Sequence, residues 1–276
     1  MINATGNRMT LEIARQSRLA KAVQEIQISI STGKRIQRPS DDPAASVRIA
    51  SIRRAQADSA VWKRNVDLGA SLAAQANDVL KTLNDRLARA QELTVEGATG
   101  SLPQSARDTI ADELRGIADE VASLQLTQSS LGQPLFSSGQ AREMRFSDGI
   151  VFAPVPSQSD VFQSGGQSLS QQLQTMAAAV QSGDRIQLDS ALTTADALIE
   201  HGTDVASTIG NAAARLDRLT DSQASRAIDL TAERSGLEDT DLTTAIATLN
   251  AQQLTLDAAQ AAFARINRRS LFDLLA

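Results

Sequence analysis

The sequence predicts a mainly α protein, an elongated bundle of long helices with coiled-coil helices at both ends and a small β-rich insertion. Three observations carry this. Apolar residues recur at alternating steps of three and four over long stretches, the period of a helix that buries one stripe. Aromatic residues are only 3% of the chain and Tyr is absent, so much of the 42% apolar content is alanine. Helices of that composition pack closely but bury little area per residue, which suits slender bundles better than a thick core. Finally, Phe136, Phe146, Phe152 and Phe162 crowd into one interval that interrupts the helical pattern.

The first helical pattern runs from about Met9 to Ser31, with Leu19, Val23, Ile26 and Ile30 forming a coiled-coil type seam. Gly33 stops it, because glycine takes a left-handed conformation without a Cβ penalty, and Lys34 and Arg35 sit at the negative end of the helix dipole. Arg38, Pro39 and Asp41 follow in an extended connector. Asp42 is then a suitable N-cap, and Pro43 fits the first helical position, where its missing N–H costs nothing. A second helix is predicted from Pro43 to about Glu96, with its stripe at Leu68, Leu72, Val79, Leu83, Leu87, Ala90 and Leu93. Arg53 and Arg54 read as part of its solvated face. Ser101 and Gln104 have capping-box spacing and open a third helix, marked by Ile110, Leu114, Ile117, Val121 and Leu124.

That pattern fails from Ser129 to Pro134. Beyond it, Asp148-Gly149 between short runs rich in Phe, Ile and Val is a hairpin signal, and the insertion is expected to span 135–162. Helices are expected again from Leu169 to about Gln181, broken by Gly183-Asp184, and from Ile186 to Leu230 or beyond. Ile209, Leu216, Leu219 and Ile228 mark the apolar side of the latter, with Arg215 and Arg218 exposed. A pause near Ser235–Asp241 precedes the last helix. There Leu242, Leu249, Leu256 and Phe263 fall at intervals of seven, beside a mostly polar line of Ile246, Gln253, Gln260 and Asn267.

Several function classes find no support. The formal charge is 27 − 32 = −5, which gives no electrostatic footprint for nucleic acid. There is no Cys, hence no disulfide and no thiolate metal site. No apolar run reaches about 18 residues, and the first residues lack a signal-peptide core, so the residues alone suggest a cytoplasmic chain. Asp41 and Asp42 have no further ligands clustered nearby that would make a metal site. His201 follows Glu200 without any nucleophile context and reads as a surface histidine. No phosphate-cradling glycine loop is present. The expectation is an assembly protein that is not an enzyme and needs no cofactor or metal.

Four segments together carry a family resemblance. Ser31-Thr32-Gly33-Lys34-Arg35-Ile36 followed by Arg38-Pro39-Ser40-Asp41-Asp42-Pro43-Ala44 resembles the flagellin family, and within it the branch that joins hook to filament. Filament flagellins usually carry an Asp-Asp-Ala-Ala-Gly version at this place. Gly132-Gln133-Pro134-Leu135-Phe136-Ser137-Ser138-Gly139 is similar to the same branch, although Pro134 replaces its usual Tyr. Ser235-Gly236-Leu237-Glu238-Asp239-Thr240-Asp241 and Ser270-Leu271-Phe272-Asp273-Leu274-Leu275 are similar to its two C-terminal segments.

The resemblance implies a terminal helical assembly domain (1–42 with 237–276), a helical rod domain (43–134 with 163–236) and a small β-containing outer domain (135–162). It implies a structural role at the junction of hook and filament, the alternative being a propagating filament flagellin. Assembly would run through Leu19, Val23, Ile26, Ile30, Leu242, Ile246, Leu249, Leu256, Phe263, Ile266, Leu271 and Leu274. Gly33, Lys34, Arg35, Arg38, Pro39, Asp41, Asp42 and Pro43 form the connector motif. The implied partners are other copies of the chain, hook-associated protein 1, filament flagellin, a flagellar export chaperone and the type III export apparatus. The implied location is the extracellular flagellum, reached without a cleavable signal peptide.

Overall fold

A computed structural model describes residues 2–100 and 102–272, with side chains described for 9–100 and 102–265. The helices are α1 (Ile2–Thr32), α2 (Pro43–Gly97), α3 (Gln104–Leu124), α4 (Gln158–Phe162), α5 (Leu169–Ser182), α6 (Arg185–Glu238) and α7 (Leu242–Phe272). The strands are β1 (Met144–Ser147), β2 (Ile150–Phe152), β3 (Gln163–Ser164) and β4 (Gln167–Ser168). The mainly α class and the small β insertion are therefore as the sequence predicts. The chain divides into two compact units, Met1–Gln56 with Ala227–Ala276 and Ala57–Arg226, the division falling within α2 and α6.

In the Ala57–Arg226 unit, α2 buries Val66, Gly69, Ala73, Ala76, Leu80, Leu83, Leu87, Ala90, Thr94 and Gly97. These positions alternate by three and four without a break, the period that keeps one seam on one side of a long helix. The expected stripe was out of phase at its start, since Leu68, Leu72 and Val79 are only half-buried. Small residues hold the true seam there. On α6 the same rhythm runs through Leu188, Ala191, Ala195, Leu198, Gly202, Val205, Ile209 and Leu216. Ile228, expected on the apolar side, lies off the seam and is 69% exposed.

α3 and α5 complete the main core. Their backbones run close together, with Ala111, Ala118 and Ala177 fully buried. A methyl side chain at a helix contact lets axes approach to the short end of the usual range, about 8 Å. Helix α3 begins after Pro103 with no side-chain cap, and Ser101 of the expected capping box lies outside the described residues. α5 is capped by Ser168, whose hydroxyl accepts from Gln171 N, and ends at Gly183 with φ 68°. Phe136 and Phe162 meet edge-to-face at 5.3 Å in the core, the geometry that the ring quadrupoles favour. His201 is half-buried, its Nε2 3.0 Å from the Val161 carbonyl oxygen, rather than on the surface as expected.

The Asp148-Gly149 hairpin is present. β1 and β2 pair antiparallel with a bulge between Arg145 and Ser147, and Gly149 takes φ 75°. Phe146 is fully buried against Val66, Ala73 and Leu216, and Arg215 lies 4.1 Å over the ring of Phe152. A Cβ on Gly69 would stand 2.7 Å from Cε1 of Phe146, so the hairpin seats its ring on a glycine-shaped notch in α2. A second hairpin, β3 with β4, turns at Gly165-Gly166, both at positive φ. It lies beyond the expected insertion boundary.

Two substitutions test this packing. Gly69→Ala should destabilise the unit by about 1–3 kcal/mol through overpacking against Phe146. Gly116→Ala, in an exposed helical position with open space around a new Cβ, should instead stabilise it by about 0.4–1 kcal/mol. Thermal melts of both variants check the pair of opposite signs.

Candidate functional site

The Met1–Gln56 with Ala227–Ala276 unit holds every part of the expected site that is described. Helices α1 and α7 pack closely and run antiparallel: Gln16 Nε2 donates to the Ala259 carbonyl at 3.4 Å, and Thr240 N to the Gly33 carbonyl at 2.9 Å. On α1 the seam is Leu19, Val23, Ile26 and Ile30, with Val23 buried and the others half-buried. On α7, Leu249, Leu256 and Phe263 are half-buried, and their companion line is Ala245, Gln252 and Ala259. Leu242 and Ile246 stand off that seam, each 48% exposed. Gln253 and Gln260 of the polar line expected beside the heptad are exposed, and Asn267 lies outside the described side chains; the alanines of the companion line turn inward and bring the backbones together. Ile266, Leu271 and Leu274 lie outside the described side chains.

The connector is less extended than the sequence suggests. Gly33 closes α1 at φ 69°, in the left-handed region that a side chain would strain. Lys34 forms an antiparallel bridge with Asp239, and Arg35 N donates to the Glu238 carbonyl at 2.8 Å. The chain then turns: Asp41 N donates to the Arg38 carbonyl at 3.0 Å, with Pro39 following Arg38 to pre-set the turn. The Asp41 carboxylate reaches back to accept from the amides of Arg38 and Gln37, at 2.8 and 3.0 Å, which holds its pKa below the usual value. Asp42 caps α2 as expected, accepting from Ala45 N at 3.0 Å. Ile36 is the connector's apolar anchor, buried with Ala45 and Ile49 and touching Leu237.

Across from the connector is the corner between α6 and α7. Asp241 caps α7, accepting from Thr243 N at 3.0 Å and from the Thr244 hydroxyl at 2.8 Å; the Thr244 hydroxyl leads in depressing its pKa. Ser235 donates to Asp239, and Arg35 Nη2 donates to the Leu237 carbonyl at 2.9 Å. At the centre is Glu238, its side chain only 7% exposed. Lys34 Nζ meets its Oε1 at 2.7 Å, Arg53 Nη2 meets the same oxygen at 2.9 Å, and Arg234 Nε lies 3.7 Å from Oε2. The Lys34 hydrogen bond is the largest influence holding the Glu238 carboxyl below its ordinary pKa, assisted by the charges of Lys34, Arg53 and Arg234 against the opposing effect of burial.

The two segments singled out in the sequence, Gly33–Pro43 and Ser235–Asp241, are thus brought into direct contact. Arg53 and Arg234 are the members that no sequence pattern marks; Arg53 stays on the solvated face, as expected, and still reaches Glu238. A partial signal was present: a connector rich in cations and a distant segment rich in carboxylates are complementary. Beside this corner, Ala22, Ile26, Thr244, Ala245, Thr248 and Gln252 line a groove of ≈ 490 Å³ between α1 and α7. The buried Oε1 of Gln252 and Oγ1 of Thr240 have no hydrogen-bond partner among the described residues. Among those residues, no cluster of His, Cys, Asp or Glu could hold a metal, and no helix is long and apolar enough to cross a membrane.

Comparison with known proteins agrees with this architecture. The family model for the bacterial flagellin N-terminal helical region matches residues 4–141, and that for the C-terminal helical region matches residues 192–275. The chain belongs to the bacterial flagellin family of flagellar structural proteins. Among individual proteins it is similar to flagellar hook-associated protein 3 of Escherichia coli, 27% identical over 119 residues, covering 43% of this chain and 38% of that protein. It is also similar to flagellin A of Vibrio cholerae, 30% identical over 163 residues, covering 55% of this chain and 42% of that protein. The chain thus spans well under half the length of these relatives. A solved structure assigned as a flagellar hook-associated protein of Vibrio parahaemolyticus shares the fold, with TM-score 0.65 and 18% identity over 72% of this chain and all of that one.

Asp42→Ala should cost about 1 kcal/mol through loss of the α2 cap, and Asp42→Ser should restore most of it. Denaturant unfolding of the three proteins side by side checks this.

Proposed function

We propose that the chain is a non-catalytic structural subunit that joins further copies through its terminal helices and serves as the junction between flagellar hook and filament. The observation that supports assembly is the coverage of α1 and α7. Their mutual seam leaves Met9, Leu11, Ile13 and Ile28 exposed on one helix and Leu242, Ile246 and Leu254 on the other, with Leu254 71% exposed. A lone helix pair is marginal in water, and packing against neighbours is what usually stabilises such helices. The buried, unpartnered oxygen of Gln252 fits the same reading, since buried polar groups normally find a partner.

The three-part organisation belongs to this proposal: 1–42 with 237–276 as the assembly domain, 43–134 with 163–236 as the rod, and 135–162 as the outer domain. Ordering of the two terminal helices on assembly belongs to it as well. The junction role, with hook-associated protein 1 and filament flagellin as neighbours, is supported by the Arg38–Pro43 version of the connector and by the similarity to hook-associated protein 3. The rival reading, a propagating filament subunit, draws on the longer match to flagellin A. Delivery to the extracellular flagellum would use the type III export apparatus without a cleavable signal peptide, with a chaperone over the Leu249, Leu256 and Phe263 line. Normal secretion from a strain lacking that apparatus would refute the export route.

Seeded assembly of purified protein, viewed by electron microscopy, separates the two readings. A short cap or ring is expected; unlimited growth would identify a filament subunit. Leu256→Asp places an unpaired charge in the half-buried α1–α7 seam, which should part the two helices and so disorganise the face on which further copies would pack. The variant should leave the melting temperature of the Ala57–Arg226 unit nearly unchanged while abolishing attachment and motility. Normal swimming, or collapse of that unit, would show that the surface is wrongly assigned.

A further inference from the structure

Besides its ion pairs, the connector is held to the corner by the Arg35 Nη2 hydrogen bond to the Leu237 carbonyl and by a short stretch of backbone. Ile36 is its apolar anchor, and its backbone meets the α6–α7 corner through a single bridge, Lys34 with Asp239, flanked by the Arg35 N and Thr240 N hydrogen bonds. A two-stranded contact that short is not stable by itself. What distinguishes the corner is the convergence on one buried carboxylate of cations from three separate segments: Lys34 from the connector, Arg53 from α2 and Arg234 from α6. We propose that Glu238 is the positioning residue of the terminal helices: its shared carboxylate clamps the connector to α2 and α6, and so fixes where α1 ends and α7 begins.

The physical argument turns on an asymmetry. Each cation is partly exposed, and such a pair taken alone contributes little. Removing the common anion is different: Arg234 keeps its 3.0 Å hydrogen bond to Gln56 of α2, but three positive groups then face one another around the position the carboxylate held, and the Lys34 link from the connector is lost. The neighbouring carboxylates cannot take over. Asp41 is engaged by the Gln37 and Arg38 amides, and Asp42 by Ala45 N, with Arg35 Nη1 3.5 Å away. Asp239 accepts from Ser235, and Asp241 is held by Thr243 and Thr244 at the start of α7. Glu233 pairs with Arg48 of α2 but does not reach the connector; among the described carboxylates Glu238 takes cations from the connector, α2 and α6 together. Both terminal helices depend on it, since α1 ends one residue before Lys34's own neighbour Gly33 and α7 begins just beyond Thr240.

The sign of the acid response follows. A carboxyl whose folded pKa is depressed gives stability that is fully present above its unfolded value and lost as pH falls through the folded one. The clamp should therefore hold at neutral pH and release only below the ordinary glutamate range. The functional consequence, that a released connector misplaces the helices for assembly, rests on the assembly reading; the clamp itself does not.

Hydrogen exchange on the dilute full-length monomer tests it at the Arg35 and Thr240 amides, corrected for intrinsic rates. The wild type should protect both at pH 7 and lose protection below the glutamate range. Glu238→Gln should lower protection about tenfold or more at pH 7 and flatten the acid profile. Adding Lys34→Gln to it should restore part of the protection by removing one of the stranded cations. If Glu238→Gln fails to fold, Lys34→Gln alone, which leaves the Ala57–Arg226 unit untouched, should open the same amides. Wild-type protection in Glu238→Gln or Lys34→Gln, or an unchanged acid profile in Glu238→Gln, overturns the clamp. Normal assembly of an unprotected Glu238→Gln chain overturns its positioning role. Failure of the wild type to assemble overturns the assembly reading instead, and the monomer amides still decide the clamp.

Discussion

Alanine and glycine at helix contacts let two backbones come close, and this close approach is the constraint on which the structure depends. A chain with so few aromatic residues cannot fill wide gaps between helices. Its helices must narrow those gaps, and they do so by turning Ala73, Ala76 and Ala90 on α2, Ala111 and Ala118 on α3, and Ala177 on α5 inward. Dispersion contacts are individually small and add up only when the packing is dense. The leucines between these small residues, such as Leu80, Leu83, Leu87, Leu114 and Leu173, are then almost fully buried. The large rings are saved for places where a helix pair alone would leave a hole, as with Phe136 and Phe162 in the core and Phe146 over Gly69.

The terminal pair follows the same rule with a different result. Ala245 and Ala259 draw α7 onto α1, and among the described side chains most of their seam stays half-buried. Where apolar area is scarce, electrostatics and hydrogen bonds take a larger share of the positioning. The corner around Glu238 concentrates them: helix caps by Asp42 and Asp241, a turn locked by Asp41, and a buried carboxylate shared by three cations. Polar contacts of this kind fix geometry more than they add stability, which suits a corner where two helices share little apolar area.

Membership of the flagellin family and this local design are consistent with one another. The family models match two separated helical stretches, and in the structure those stretches supply both α1 with its connector and the α6–α7 corner. The stretch between them contributes the hairpins and the short helices packed around Phe136 and Phe162.

Much was determined by the sequence alone. Helix positions were legible because period, caps and breakers are local: Gly33, Pro43 and Gly183 each mark an end by their own backbone preferences. The Asp148-Gly149 turn was legible for the same reason. Only the tertiary structure decided which side of each helix faces inward where small residues hold the seam, since alanine and threonine look alike on a surface and in a core. Leu68 and Leu72 misled for that reason, as did Ile228. Tertiary structure alone also decided that Arg53 and Arg234 turn to Glu238. A charged side chain carries no periodic signature, and its partner lies on a segment that chain folding, not sequence proximity, brings near.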